Sequence, residues 1–193
     1  MVERQLDLIL SQGTKTQTIT KAVELPEYYM IPMGQVYDQG SSSMCAVYAL
    51  ADLMERAYNV KKSFDRKELY NLRSTKDGMM LSELFSLAKE HGFTGKQETY
   101  KVHEYFRIGT SKDIQKAIVS MFGVIIGIPV YNYGESFWLG DKLLGYHAVP
   151  LVGYSNRGFI IKNSWGSQWA NNGTTTLPYE EVEGSVMEAW TFI

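Results

Sequence analysis

Two regimes of apolar spacing divide the chain. From Cys45 to about His91 the apolar positions recur with a helical period, whereas from Val124 onward short apolar runs alternate with Gly, Asn and Pro punctuation, the pattern of strands. Val47, Leu50, Ala51, Met54 and Tyr58 follow the i, i+3, i+4, i+7 rule, which predicts an amphipathic helix with Cys45 in its first turn and Ser42 and Ser43 available as N-caps. A second helix is expected from Asp65, where Glu68 completes a capping box, and a third over 82–91, closed by Gly92 in a left-handed conformation. Ser111 is placed to cap a fourth, running to about Met121. Strands are predicted over 123–130, 148–154 and 159–162, with a turn at 156–158 joining the last two. Helices followed by strands point to an α+β fold with a helical lobe preceding a β lobe.

Composition narrows the function. The chain has 193 residues, 45% hydrophobic and 13% aromatic, enough to bury a substantial core. Nineteen Lys and Arg against 21 Asp and Glu leave a net charge of −2, so nucleic acid is not the expected partner. The apolar run 119–130 is broken by Ser120, two glycines and Pro129 and falls short of the roughly 18 residues a bilayer span requires, so no membrane role is expected. Leu6 to Leu10 contains Asp7 and makes no signal-peptide core. A single cysteine excludes an internal disulfide, and together these features suggest a cytoplasmic, reducing location. Asn172-Gly-Thr174 reads as an Asn-Gly turn rather than a glycan acceptor.

Cys45 follows a loop of small and polar residues, Gln39-Gly-Ser-Ser-Ser-Met, and opens a helix. A helix N-terminus lowers a thiol pKa through unpaired backbone N–H groups and the macrodipole, and the thiolate is the nucleophilic form. Taken alone, a lone cysteine also suits a small buried hydrophobe. A nucleophile needs a base, and there are three histidines. His91 is explained by helix termination, and His103 sits in a polar, alternating segment that suits an exposed strand. His147 begins the apolar run Ala148-Val-Pro-Leu-Val-Gly-Tyr154, which can hold an imidazole rigidly, and Asn163 ends the next apolar run, where its amide can accept the other ring N–H. Trp165 is placed to shield that bond, although Asn163 and Trp165 singly would also suit a turn and a core residue.

Taken together, Gln39-Gly-Ser-Ser-Ser-Met-Cys45, His147-Ala-Val-Pro-Leu-Val-Gly-Tyr154 and Asn163-Ser-Trp-Gly166 resemble the papain family of cysteine peptidases, peptidase C1, and in particular short bacterial or viral members without a prodomain. The resemblance runs loosely from Leu25-Pro-Glu to Trp190-Thr-Phe-Ile193. It implies a papain-like two-lobe fold, with a helical left lobe and a β-barrel-like right lobe enclosing a cleft. The chain then divides into an arm at 1–24, a mainly helical lobe at 25–110 carrying the nucleophile, and a mainly β lobe at 111–193 carrying the histidine and asparagine. It implies a thiol protease with Cys45 as nucleophile, His147 as proton shuttle, Asn163 as orienting residue and Gln39 as oxyanion donor, needing no cofactor or metal and acting on a peptide or protein. Substrate contacts are implied at Gly78, Met79, Tyr146 and Trp165, with main-chain pairing near Asp77-Gly-Met79.

The chain departs from the family signature in places. Ser42 stands where the signature has its first cysteine, Ser43 and Met44 replace the small pair, and Ala46 follows the nucleophile. His147 comes 102 residues after Cys45, against roughly 130–150. These changes reshape the cleft without removing a catalytic group, and they leave open a catalytically silent binding protein or an acyltransferase using the same residues. A metal site finds no paired ligand spacing. The 24 residues before Leu25 are too few to bury a folded inhibitory domain, so no proteolytic activation is expected.

Overall fold

The computed structural model describes residues 8–9, 15–60, 63–76, 78–95 and 98–193. In chain order the elements are β1 (Leu8–Ile9), β2 (Thr16–Gln17), β3 (Tyr29–Met30), α1 (Cys45–Ala57), α2 (Lys67–Tyr70), β4 (Met79–Met80), α3 (Leu81–Glu90), β5 (Phe93–Thr94), β6 (Thr99–Tyr100), β7 (Tyr105–Ile108), α4 (Ser111–Ser120), β8 (Val124–Val130), β9 (Gly145–Ser155), β10 (Gly158–Lys162), β11 (Thr174–Pro178), α5 (Tyr179–Ser185) and β12 (Glu188–Phe192).

The main sheet runs β11-β10-β9-β8-β12-β7-β2, with β3 laid along β9. Its centre is antiparallel: Ile128 lies opposite His147 in the β8–β9 ladder, and Ile125 opposite Trp190 in β8–β12. It is an open sheet rather than a closed barrel among the described residues. The strand period of two divides its side chains between two cores. Ile125, Ala148, Val152, Trp190 and Phe192 pack with α1 and α3, whereas Ile126, Ile128, Val149, Leu151 and Ala189 pack with α4 and an aromatic group around Phe137 and Trp165. Both faces of the sheet are buried, which explains why β8 and β9 read as continuous apolar runs rather than alternating ones. Gly153 is needed where β3 crosses β9, because a Cβ there would stand 2.4 Å from the Tyr29 carbonyl oxygen.

Several expectations on helix ends change. Met44 occupies the N-cap of α1 and no side chain caps it. Ser42 Oγ donates instead to the Gln39 carbonyl at 2.7 Å and Ser43 Oγ accepts from the Tyr70 hydroxyl at 2.9 Å, so both serines fasten the loop rather than the helix. The capping box at Asp65 does not form, since Glu68 accepts from the Thr94 amide at 2.8 Å. Thr110, not Ser111, caps α4, its hydroxyl accepting from Asp113 N at 3.0 Å. The strand expected around His103 is split into β6 and β7, with exposed His103 between them and its amide bonded to the Ile193 carbonyl at 2.7 Å. Gly92 does close α3 with φ +72°, and Asn172-Gly173 forms its turn with φ of +51° and +78°. No helix among the described residues is long and apolar enough to cross a membrane.

Candidate active site

Cys45 is the first residue of α1 and is 1% exposed. The first-turn amides of a helix are not used by its own ladder and carry partial positive charge, and no acidic side chain stands in that turn to offset it. Helix α1 packs against β9, the strand that carries His147. The nucleophile candidate and the base candidate thus come from elements in direct contact, although 102 residues separate them in the chain.

The His147 ring is fully buried, and its Nε2 lies 2.9 Å from Asn163 Oδ1. The Ser164 amide also donates to Oδ1, at 2.8 Å, which identifies that atom as the amide oxygen. Since Oδ1 only accepts, Nε2 carries the proton in this bond. Trp165 stacks on the imidazole with centroids 4.9 Å apart and planes 21° from parallel. Phe137 meets the same ring edge-on at 6.1 Å and Trp165 at 5.1 Å. This apolar cover keeps water from the His147–Asn163 bond and strengthens it.

Gln39 is buried beside these groups and held from three directions. Its backbone N–H donates to the Ser164 carbonyl at 2.9 Å, its Oε1 accepts from Ser164 Oγ at 2.5 Å, and its Nε2 donates to the Ser42 carbonyl at 2.8 Å. Nε2 has two protons, so one remains for a developing oxyanion after the Ser42 bond is made. The neighbouring residues pair as well: Asp38 bridges Trp165, and Gly166 N donates to the Tyr37 carbonyl at 3.0 Å. Gly166 has φ +84°, and a Cβ would come 3.0 Å from Asp38 Oδ2, so this close apposition of the two loops requires glycine.

Of the residues expected to touch substrate, Trp165 is 2% exposed and covers His147, Met79 is buried, and Tyr146 is half-buried at the start of β9. Gly78 has φ +70°, and Asp77 lies outside the described residues. The backbone edge at Met79–Met80 is paired in parallel with β1, Leu8 opposite Met79 and Ile9 opposite Met80. The rest of the arm up to Thr14 lies outside the described residues. His91 and His103 are both exposed and belong to other parts of the surface.

Four residues of the site's surroundings carry no assignment from the motifs alone. Ser164 links Gln39 to Asn163, and Phe137 completes the aromatic cover. Asp52 and Lys162 form a buried ion pair, Nζ to Oδ1 at 2.6 Å. Their signal in the sequence is a charge inside an otherwise apolar element: Asp52 in the Ala-rich helix, Lys162 at the end of Phe159-Ile-Ile.

An α+β frame in which a cysteine opens a helix, and that helix packs on the strand bearing an amide-bonded imidazole, is the frame of a cysteine peptidase. Residues 51–189 match the profile of the papain family cysteine protease, and the chain belongs to that family. The match begins beyond Gln39 and Cys45, so it bears on the frame more than on the thiol. Xylellain, a cysteine protease from Xylella fastidiosa, superposes with a TM-score of 0.81 at 21% identity over 100% of this chain and 98% of that one, a likeness of fold. A peptidase C1-like protein, L477, of Acanthamoeba polyphaga mimivirus is 34% identical over 41% of this chain and 32% of its own. A cathepsin L-like proteinase of Phaedon cochleariae is 29% identical over 46% and 34%. The matched region therefore spans about a third of the length of these curated relatives.

Proposed function

We propose that this protein is a cysteine peptidase that hydrolyses peptide bonds through a Cys45–His147–Asn163 triad with Gln39 in the oxyanion hole. The observation that carries the reading is the buried His147–Asn163 bond beneath Trp165, with His147 on the strand β9 that packs against the helix opening at Cys45. Cys45 Sγ, deprotonated by His147 Nδ1, attacks the substrate carbonyl carbon. The resulting oxyanion accepts from Gln39 Nε2 and from the Cys45 backbone N–H. Collapse of the tetrahedral intermediate breaks the C–N bond as His147 gives its proton to the leaving amine. A water deprotonated by the same ring then attacks the thioester and releases the acid, returning the proton to sulfur. Asn163 holds the ring in the Nε2–H tautomer throughout, and Trp165 serves as cover for that pair. A sole cysteine with no disulfide partner fits a reducing compartment such as the cytoplasm, where a catalytic thiol stays reduced.

The test is the rate of Cys45 alkylation by iodoacetamide as a function of pH, run beside cleavage of a peptide library under reducing conditions. The expected alkylation inflection lies well below the ordinary thiol value of about 8.5. Cys45→Ala and His147→Ala should abolish cleavage, while His91→Ala and His103→Ala retain it and a chelator has no effect. An ordinary thiol inflection with no cleavage of any library member would leave a binding protein on a peptidase fold.

A further inference from the structure

Lys162 immediately precedes Asn163 and is 2% exposed. Besides Asp52 Oδ1 it donates to the Gln35 carbonyl oxygen at 2.6 Å. Three segments meet at this one nitrogen. Asp52 stands two turns along α1 from Cys45, Gln35 opens the loop that delivers Gln39, and Lys162 itself ends β10, whose next residue is Asn163. The same loop is held on its other side by Tyr37, whose hydroxyl donates to Glu55 Oε2 of α1 at 2.7 Å and whose ring lies under the Arg66 guanidinium at 3.9 Å.

Burying an ammonium is costly unless it is paired and hydrogen-bonded, and replacing such a pair by apolar residues is often no less stable. Stability alone is therefore a weak reason for a charge here. Burial pulls the Lys162 proton affinity below the ordinary lysine value, against the opposing attraction of Asp52, which shows that the site costs solvation.

Resting on the peptidase reading above, we infer that Lys162 is a positioning residue: through Asp52 and the Gln35 carbonyl it sets the separation of the α1 thiol, the oxyanion loop and the His147–Asn163 pair. It touches neither substrate nor reacting atoms. It acts as a fixed three-point spacer, because an ammonium supplies directed donors with a short reach that a methyl group of similar bulk cannot replace.

The experiment compares Lys162→Met, the double variant Lys162→Met/Asp52→Leu, and Arg56→Met in the whole chain. Arg56 also pairs with Asp52, but from within α1, and its other bond goes to the Pro32 carbonyl, so it serves as a control for a buried ion pair with no link to β10. Melting temperature, kcat, KM and the pH profile of Cys45 alkylation are read for each. Lys162→Met should lower kcat by about 10²-fold, the scale of a misplacement near 1 Å, with KM little changed. Its alkylation inflection should move up toward that of an ordinary thiol. The double variant should regain only part of the melting temperature lost in Lys162→Met, because Asp52→Leu also strips Arg56 of its partner, and should recover neither kcat nor the inflection; Arg56→Met should melt earlier with both intact. Should Lys162→Met fail to fold, the double variant decides, since it leaves neither Asp52 nor Lys162 charged. Wild-type kcat and inflection in either folded Lys162 variant would overturn the positioning role while leaving the peptidase reading in place. An ordinary thiol inflection in the wild-type chain itself would bring down both.

Discussion

Replacing Asn163 with alanine separates the structural from the chemical work of one side chain. Its Oδ1 accepts from His147 Nε2 at 2.9 Å and from the Ser164 amide at 2.8 Å, and both donors are buried. Without the oxygen each donor loses its partner, at about 1–3 kcal/mol apiece, so together roughly 2–6 kcal/mol if water does not enter. For a chain of this size each kcal/mol moves the melting temperature by about 2–4 °C, which places the expected loss between roughly 4 and 24 °C. The chemical loss is of another kind. The ring remains stacked on Trp165 and flanked by Phe137, so its plane is held, while the tautomer and the direction of Nδ1 are not. A fall of about 10²-fold in kcat is expected, rather than abolition. Asn163→Asp keeps both acceptor bonds and adds a negative charge beside the imidazolium, which stabilises the protonated ring and raises its pKa. The alkaline limb of the pH–rate profile, where the imidazolium loses the proton it gives to the leaving amine, should accordingly shift to higher pH in Asn163→Asp. Thermal melts, steady-state kinetics on a cleaved library peptide and the alkylation profile give all three quantities. If Asn163→Ala melts early yet keeps wild-type kcat and alkylation profile, the bond is structural and the orienting role is wrong.

Gln39→Ala should lower kcat by roughly 10²–10³-fold, the usual result of removing an oxyanion donor, and Ser164→Ala by less, since it only loosens the Gln39 amide; an unchanged kcat in Gln39→Ala would remove it from the oxyanion hole. Tyr154 is 1% exposed, and its hydroxyl has no hydrogen-bond partner among the described residues, so Tyr154→Phe should be neutral or raise the melting temperature. Burial raises the Tyr154 pKa above its ordinary value of 10.0, so the folded state holds its proton where the unfolded chain loses it. This contribution is fully present below pH 10 and is lost as pH rises through the raised value, and Tyr154→Phe should flatten that part of an alkaline melting series. Removing residues 1–14 frees the Met79–Met80 edge from β1 and should lower KM with kcat unchanged; an unchanged KM would show that peptide substrates do not use this edge. The cut spares Ile19, whose N–H donates to Asp113 Oδ1 at 3.0 Å, so any fall in melting temperature should reflect only the lost β1 contacts to β4 and β9.

The helix opening at Cys45, the strands at His147 and before Asn163, and the left-handed Gly92 were all legible in the linear chain, because periodicity and backbone preference act over a few residues. The same locality explains how Cys45, His147 and Asn163 could be singled out, since each sits in a short segment whose residue types suit its chemistry, whereas Gln39 entered only through the resemblance of its loop to the papain family. What the linear chain could not decide is how competing partners share a side chain. Ser42 and Ser43 had the composition of helix caps, yet the Gln39 carbonyl and the Tyr70 hydroxyl took them. Trp165 read as cover or as core, with a substrate contact implied by the resemblance, and only packing set it against the imidazole. The bonds that bring the site together join residues far apart in sequence, Asp52 to Lys162 across 110 positions and Gln39 to Ser164 across 125. No local pattern encodes such pairs. They form because folding excludes water from both charges at once, and a buried ammonium or amide then has to take whichever acceptor the tertiary structure places within reach.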